Sequence, residues 1–372
     1  MNIYKDIKIN NQVDSNLPRN LIVYGAPGTG KSYKLNELKE KYFTSPMLYK
    51  RVTFYANYSY SQFVGSYKPS PAYKLNNKEK VTNILGYEVD EPIINYEYVP
   101  GPFLTMILKA IRNPQNNYLI IIEEINRGNA ASIFGDLFQI LDRDKHGISE
   151  YKVEISNELK HHLSKSTEFE EELKYEIIEK GLYIPSNLYI WSTMNSADQG
   201  VFPMDTAFKR RWSFEYIDID ASENKIEGNI VKLGNQKKII KWNKLRKSIN
   251  DKLILLNINE DKLLGPFFLS IDEQTDENKF EIAFKNKVLM YLYEDVLRHR
   301  KSEFFKGNIS TYSKLIKSYD ELGGDVFNFE LNYEPEMNIS DYEDNESAID
   351  VDQISVAQKE DDYIADVSNK EE

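Results

Sequence analysis

An eight-residue loop close to the start of the chain has the residue types that bind nucleotide phosphates. The sequence GAPGTGKS at residues 25–32 fits the pattern GxxxxGK[ST] in full. The glycines let backbone N–H groups close around a β-phosphate, the lysine neutralises β and γ oxygens, and the serine hydroxyl can ligate Mg²⁺. The alternative, a glycine turn before a surface lysine, requires coincidence with the strand-like run before the loop and the helical pattern after it. The predicted nucleotide-binding residues are Gly25, Ala26, Pro27, Gly28, Thr29, Gly30, Lys31 and Ser32.

Two adjacent acids follow an apolar run at residues 118–122, about 90 residues after this loop. At the carboxyl end of a parallel strand, one carboxylate can hold Mg²⁺ through water while its neighbour polarises an attacking water. The Mg²⁺ ion is therefore predicted to be held by Ser32 together with one acid of the pair Glu123 and Glu124, and the other acid is the candidate catalytic carboxylate. A pair of solvated acids is the alternative, and the preceding phosphate loop makes it the weaker one.

Asn195 ends the next apolar run, where a polar side chain can reach a γ-phosphate and the attacking water. We predict that it is a γ-phosphate sensor with a catalytic role. The stretch NSAD at residues 195–198 also has a superficial likeness to the guanine-reading NKxD motif, but it lacks the lysine.

A basic run follows about 15 residues after Asn195. Lys209, Arg210 and Arg211 could reach a neighbouring subunit's nucleotide site and stabilise charge that develops in the transition state. The alternative is a basic surface that contacts DNA phosphates.

Aromatic residues cluster between the phosphate loop and the acidic pair. A stacking platform for single-stranded nucleic acid is conceivable, but packing against the sheet and its helices is the favoured prediction. The cluster contains Tyr55, Tyr58, Tyr60, Phe63 and Tyr67.

These residues require a scaffold of alternating strands and helices. An apolar run at residues 21–24, the loop and a helical pattern together form the first unit of a parallel α/β nucleotide-binding fold. The pattern predicts further strands at 118–122 and 188–192 and a helix over 130–141. A charged insert at about 144–183 is interpreted as an exposed helix within a hairpin. The predicted organisation is an arm at 1–16, the nucleotide-binding α/β domain at 17–222, a small α-helical lid at 223–332 and a disordered acidic tail at 333–372.

Charge and composition exclude several classes of protein. The formal charge of −12 comes from the tail after residue 332, which has 14 acidic and two basic residues, so the body is neutral and is not a general nucleic-acid-coating protein. The absence of cysteine excludes disulfides, zinc–thiolate sites and cysteine nucleophiles. No apolar run approaches the roughly 20 residues that span a bilayer. We expect a soluble, cytoplasmic protein with no membrane partner.

Taken together, four sequence blocks resemble the McrB family, the AAA+ GTPase subunits of modified-cytosine (type IV) restriction systems. They are the phosphate loop, IIIEEINRGNAASIFGDLFQILDRDK at 120–145, STMNSADQGVFPMDTAFKRRWSF at 192–214 and KLLGPFFL at 262–269. The resemblance covers about residues 17–300. It implies an AAA+ P-loop NTPase core with a helical lid, a hexameric ring with nucleotide at subunit interfaces, and a separate McrC-like nuclease subunit. Carried over by position, the resemblance makes Glu123 the Mg²⁺ ligand, Glu124 the catalytic carboxylate and Asn195 the sensor. It also makes Arg210 or Arg211 the catalytic finger that acts on the neighbouring subunit.

The sequence departs from the family pattern at four points. Glu123 stands where aspartate is usual, Gln199 where arginine is usual, and Lys209 where the first arginine of a basic run is usual. In addition, only about 20 residues precede the loop, so we expect no DNA-recognition domain here and DNA contact through the complex. The choice between GTP and ATP stays open, because the family points to GTP and the general fold to ATP. The alternative function is a MoxR-like or dynein-like AAA+ chaperone that remodels protein complexes.

Overall fold

Five parallel strands lie at the centre of the computed structural model, which describes residues 10–74, 80–82, 85–195 and 201–335. The sheet order is β2 (Tyr49–Thr53), β7 (Tyr118–Glu123), β8 (Leu188–Asn195), β1 (Asn20–Gly25) and β9 (Ser213–Tyr216), and every neighbouring pair is parallel. Strands of a parallel sheet carry ligand sites beyond their carboxyl ends. In chain order the strands up to the end of the sheet are β1 (Asn20–Gly25), β2 (Tyr49–Thr53), β3 (Gly65–Tyr73), β4 (Lys80–Thr82), β5 (Glu88–Asp90), β6 (Pro92–Pro100), β7 (Tyr118–Glu123), β8 (Leu188–Asn195) and β9 (Ser213–Tyr216).

Helices cover both faces of this sheet because successive side chains of each buried strand point to opposite sides. Ile22, Ile120 and Ile122 pack in one core cluster, while Leu21 and Ile121 pack in another on the opposite face. The fold class predicted from the sequence, a parallel α/β sheet between helices, is therefore confirmed. The helices of this part are α1 (Lys31–Tyr42), α2 (Tyr60–Phe63), α3 (Pro102–Arg112), α4 (Ala130–Phe134), α5 (Asn157–Lys165), α6 (Glu171–Lys180) and α7 (Thr206–Lys209).

The helix predicted over residues 130–141 is interrupted. It is α-helical only as far as Phe134, and it continues as a 3₁₀ helix over Gly135–Leu141. Gly135 has φ 53° and faces the Tyr60 ring, so the backbone leaves α-helical geometry there.

The charged insert contains two helices, where the sequence predicted one. Helices α5 and α6 lie within the loop that the antiparallel bridge Val153↔Leu182 closes, and the bridge Arg143↔Ser149 closes a shorter turn before it. Leu159, Leu163 and Ile177 anchor the insert in the core, and most of its charged side chains lie at the surface, with Lys174 buried.

The aromatic cluster is divided between the core and the surface. Phe63 is fully buried and stacks on Phe103 with ring centroids 4.8 Å apart. Tyr55, Tyr60 and Tyr67 keep 38–46% of their surface exposed. The prediction of packing is correct for Phe63, and these three tyrosines are only partly covered.

The chain after the sheet forms a largely helical part with its own hydrophobic cluster, from Ile226 to Phe327. The sequence predicted helices here, and the structure adds a two-stranded antiparallel hairpin ahead of them. Its elements are β10 (Ile230–Leu233), β11 (Lys238–Lys241), α8 (Trp242–Leu255), α9 (Ile271–Thr275), α10 (Glu277–Ala283), α11 (Lys301–Phe304) and α12 (Tyr312–Leu322), with π-helical turns at Phe284–Leu289 and Leu292–Val296. We refer to this part as the lid.

Several predictions lie wholly or partly outside the described residues. They concern the first nine residues of the arm, the acidic tail from residue 336 onward, and residues 196–200, which include Gln199. Within the described ranges, no helix is both long enough and apolar enough to cross a bilayer.

Candidate nucleotide-binding site

The phosphate loop connects the end of β1 to the start of α1, beyond the carboxyl edge of the sheet. Gly28 and Gly30 have φ angles of 75° and 88°, which only glycine adopts without strain. The Lys31 ammonium lies within the loop and donates hydrogen bonds to the carbonyls of Gly25 and Ala26 at 3.0 and 2.9 Å. The lysine side chain is thus held among the loop carbonyls, beside the backbone that would surround a phosphate.

Ser32 and Glu123 come together across this edge. The Ser32 hydroxyl donates to Glu123 Oε2 at 2.9 Å, and the Thr193 hydroxyl donates to the same oxygen. Arg51 Nη1 lies 2.8 Å from the other carboxylate oxygen. A hydroxyl and a carboxylate in contact are oxygen ligands of the kind that Mg²⁺ takes together with nucleotide phosphates, so these residues fit the ion.

Glu124 turns away from Glu123 because its backbone is left-handed, with φ 55°. A non-glycine residue in this region costs about 1–3 kcal/mol, and such strain is concentrated at functional sites. The Glu124 N–H donates to Thr193 Oγ1 at 3.1 Å. Its side chain accepts from Asn195 Nδ2 at 2.6 Å and lies 3.5 Å from Arg127 Nε. The catalytic carboxylate and the sensor predicted from sequence are therefore in direct contact.

Asn195 is the last residue of β8, two positions after Thr193 on the same face of the strand. Its carbonyl accepts from Asn126 Nδ2 at 2.7 Å, and Asn126 itself is buried. The family-like block at residues 120–145 thus supplies both the acidic pair and the amide that holds the backbone of the predicted sensor.

Arg210 and Arg211 lie at the opposite, amino edge of the sheet. The Arg211 carbonyl accepts from Asn20 Nδ2 at 3.1 Å, at the start of β1. Since β1 has six residues, its two ends are about 17 Å apart. Neither arginine is placed to reach the phosphate loop of its own chain.

The two arginines differ in their surroundings. The Arg211 side chain is 7% exposed, lies 2.6 Å from an Asp142 oxygen, and stacks 3.9 Å above the Phe138 ring. Its Nη1 also donates to the Ala207 carbonyl at 2.6 Å. The Arg210 side chain is 65% exposed, and its Nη2 lies 3.9 Å from Asp142. Arg211 is bound within its own subunit, whereas Arg210 projects toward solvent.

The lid contacts the phosphate loop directly through residues 264–269, which we call the strap. The Gly265 N–H donates to the Pro27 carbonyl at 2.9 Å, and the Phe267 N–H donates to the Gly28 carbonyl at 2.8 Å. The strap is the LGPFFL portion of the family-like block at residues 262–269. The sequence identified this block by resemblance, and only the structure shows that it contacts the phosphate loop.

The strap is attached to the linker after β9 by a charge cluster around one buried arginine. Arg246, on α8, is fully buried and contacts Asp220 at 2.6 Å and Glu223 at 3.3 Å. Hydrogen bonds from Lys247 and Asn243 hold the pKa of Glu223 below its usual range, so this carboxylate is ionised at neutral pH.

Four residues of this arrangement were not predicted from the sequence. Thr193 could have been found, because it lies two positions before Asn195 on a strand whose side chains alternate. Arg51, Asp142 and Arg246 carry no comparable local signal, since their oppositely charged partners are 23 or more positions away in the chain.

Comparison with known proteins identifies the family of this chain and similar restriction-system proteins. The family described as AAA domain (dynein-related subfamily) matches residues 20–212. The chain is 46% identical over 323 residues to the type II restriction enzyme BsuMI component YdiS of Bacillus subtilis (strain 168), covering 85% of this chain and 89% of that protein. It is 27% identical over 209 residues to the type IV methyl-directed restriction enzyme EcoKMcrB subunit of Escherichia coli (strain K12), covering 55% of this chain and 36% of that one.

A parallel sheet with a phosphate loop, an acidic pair and a polar strand end defines a P-loop nucleoside triphosphatase. The chain belongs to the AAA-domain family of the dynein-related subfamily and, within it, to the McrB-like AAA+ restriction subunits.

Proposed function

We propose that this protein is a Mg²⁺-dependent nucleoside triphosphatase, with GTP favoured and ATP possible, that drives a separate nuclease subunit in DNA restriction. The observation that carries the proposal is the meeting of the phosphate loop, Glu123, Glu124 and Asn195 at one edge of the sheet. Similarity to two restriction-system components supports the biological setting.

Each residue at this edge has a distinct proposed task. Lys31 moves from the loop carbonyls to the β and γ oxygens of the nucleotide. Ser32 and Glu123 hold Mg²⁺, which supplies neutralisation of phosphate charge when bound. Glu124 orients the attacking water and accepts its proton, and Asn195 keeps the carboxylate aimed at that water while contacting the γ-phosphate.

Assembly into a ring completes the site in this proposal. A hexamer would place the amino edge of one subunit against the carboxyl edge of the next. Arg210 is the better candidate for the finger, because 65% of its side chain is exposed while Arg211 is bound to Asp142. A guanidinium can donate two parallel hydrogen bonds to γ-phosphate oxygens.

The nuclease activity is assigned to another chain, an McrC-like subunit, and DNA is engaged through the complex. A MoxR-like or dynein-like chaperone remains the second candidate, because the AAA family that matches residues 20–212 is the dynein-related one. The 46% identity to a restriction enzyme component favours the first.

The test compares phosphate release from GTP and from ATP with Mg²⁺, with and without the nuclease subunit. We expect faster turnover of GTP and stimulation by the nuclease. Lys31→Ala is the control, and it should abolish nucleotide binding because the loop loses its cation. Turnover of neither nucleotide, or tight binding of a fluorescent nucleotide by Lys31→Ala, would refute the assignment. Stimulation by a protein complex and not by the nuclease would favour the chaperone.

A further inference from the structure

The backbone of the phosphate loop poses a hydrogen-bonding requirement that the lid meets. When loop N–H groups turn toward an anion, the carbonyls between them point away and need donors of their own. Lys31 and the Thr29 hydroxyl serve the carbonyls of Gly25 and Ala26. The carbonyls of Pro27 and Gly28 accept from N–H groups of the strap.

The strap and the phosphate loop approach each other so closely that each of them requires a glycine at the contact. A Cβ on Gly265 would lie 2.3 Å from the Gly28 carbonyl carbon, and one on Gly28 would lie 2.3 Å from the Phe268 nitrogen. The ring of Phe267 lies beside Gly30. The strap therefore contacts the loop backbone over three of its positions.

The backbone of the strap is in turn hydrogen-bonded to buried side chains of the lid. The Leu264 carbonyl accepts from Arg246 Nη1 at 3.1 Å and from Asn250 Nδ2 at 2.9 Å, and the Leu264 N–H donates to Asn250 Oδ1 at 2.8 Å. The Pro266 carbonyl accepts from Trp242 Nε1 at 2.9 Å and Gln274 Nε2 at 3.0 Å. Arg246 also binds Asp220, so one buried guanidinium joins the strap to the linker that follows β9.

We propose that Arg246 is a positioning residue for nucleotide binding, which acts by holding the strap against the phosphate loop so that the loop N–H groups face the phosphates before nucleotide arrives. This inference rests on the proposed nucleotide-hydrolysing function and adds a lid residue to it. Without the strap, binding would have to order the loop and would lose affinity. The strap also makes the shape of the loop and the position of the lid depend on each other.

Arg246→Lys tests the proposal, because lysine keeps the charge beside Asp220 but cannot reach that carboxylate and the Leu264 carbonyl with one fork. We expect the Kd and KM for nucleotide to rise about tenfold or more, with kcat at saturation within about threefold of wild type, as for loss of ground-state binding. The matched control is Arg300→Lys. The guanidinium of the wild-type Arg300 donates to the Leu256 carbonyl at the end of α8, away from the strap. Unchanged Kd in folded Arg246→Lys would overturn the proposal, as would an equal loss in the control.

A second pair of variants tests the contact without altering a buried charge. Gly265→Ala should weaken nucleotide binding at least as much as Arg246→Lys, since the new methyl group forces the strap off the loop. Gly228→Ala is its control, because a Cβ there has open space around it. Thermal unfolding confirms that each variant is folded. Wild-type affinity in Gly265→Ala would refute the strap contact, whereas absence of nucleotide binding by the wild-type protein would refute the proposed function itself.

Discussion

Glu123 and Glu124 are neighbours in sequence with different partners, because the left-handed backbone of Glu124 turns the two carboxylates apart. Glu123 contacts Ser32 and Arg51, which suits a metal ligand that needs oxygen neighbours and charge balance. Glu124 accepts a hydrogen bond from Asn195, which suits a carboxylate that must be held in one orientation toward an attacking water. The environment of each acid thus separates two roles that the dipeptide alone could not separate.

The amide variants of these acids should therefore behave differently. Glu124→Gln keeps the shape of the side chain and removes its charge, so nucleotide should still bind while turnover falls by about 10²–10⁴. Glu123→Gln should instead weaken Mg²⁺-dependent binding. Filter binding and phosphate release, each measured over a range of Mg²⁺ concentrations, distinguish the two. If Glu123→Gln gave the bound but inactive state, the two roles would be reversed.

At the scale of elements, the short segment from α7 to β9 holds one arginine in place and leaves its neighbour exposed. Asp142, at the end of the 3₁₀ helix Gly135–Leu141, pairs with Arg211, and Phe138 on the same helix stacks beneath the guanidinium. The break in α-helical geometry at Gly135 precedes both residues. The helix predicted as one element is thus two, and the second carries the partners of Arg211.

Alanine at these two positions should separate stability from catalysis. Arg211→Ala leaves Asp142, which is 20% exposed, without its close partner, and should lower the free energy of unfolding by about 1–3 kcal/mol. Arg210→Ala removes an exposed side chain and should change it by less than about 0.5 kcal/mol. Denaturant unfolding of each variant, alongside phosphate release, checks both. Equal stability losses would show that Arg211 is not the residue that braces this segment.

At the scale of the whole molecule, the candidate nucleotide site lies at the carboxyl ends of the parallel strands, and Arg210 and Arg211 lie at the amino ends. A trans-acting finger can raise turnover by about 10³–10⁵ in other nucleotide hydrolases. Both Glu124→Gln and Arg210→Ala proteins should thus be nearly inactive alone while still binding nucleotide.

Mixing these two variants tests whether sites are shared between subunits. In a mixed ring about one interface in four pairs an intact Glu124 with an intact Arg210, so hydrolysis should partly recover. Phosphate release is measured after co-assembly has been verified by size and composition. A mixture as inactive as its parents would exclude Arg210 as the sole finger, and Arg211→Ala would then be mixed in the same way.

Local sequence determined the phosphate loop, the apolar strands and the acids at their ends. Glycine spacing fixes a loop conformation over eight residues, and runs such as residues 118–122 form buried parallel strands because every side chain is apolar. The parallel sheet then brought Ser32, Glu123, Glu124 and Asn195 to one edge, as the phosphate-loop position of Ser32 and the strand-end positions of the other three had indicated.

Only the tertiary structure decided which partner each charged group takes. Asp142 pairs with Arg211, Arg51 pairs with Glu123, and Arg246 donates to the Leu264 carbonyl of the strap. The residues of these pairs are 18 to 72 positions apart in the chain. Such pairs depend on how helices and strands pack in three dimensions, and a charged side chain gives no periodic signal of its partner. The sequence thus predicted a nucleotide site and its residues, while packing decided which arginine is exposed and how the lid contacts the phosphate loop.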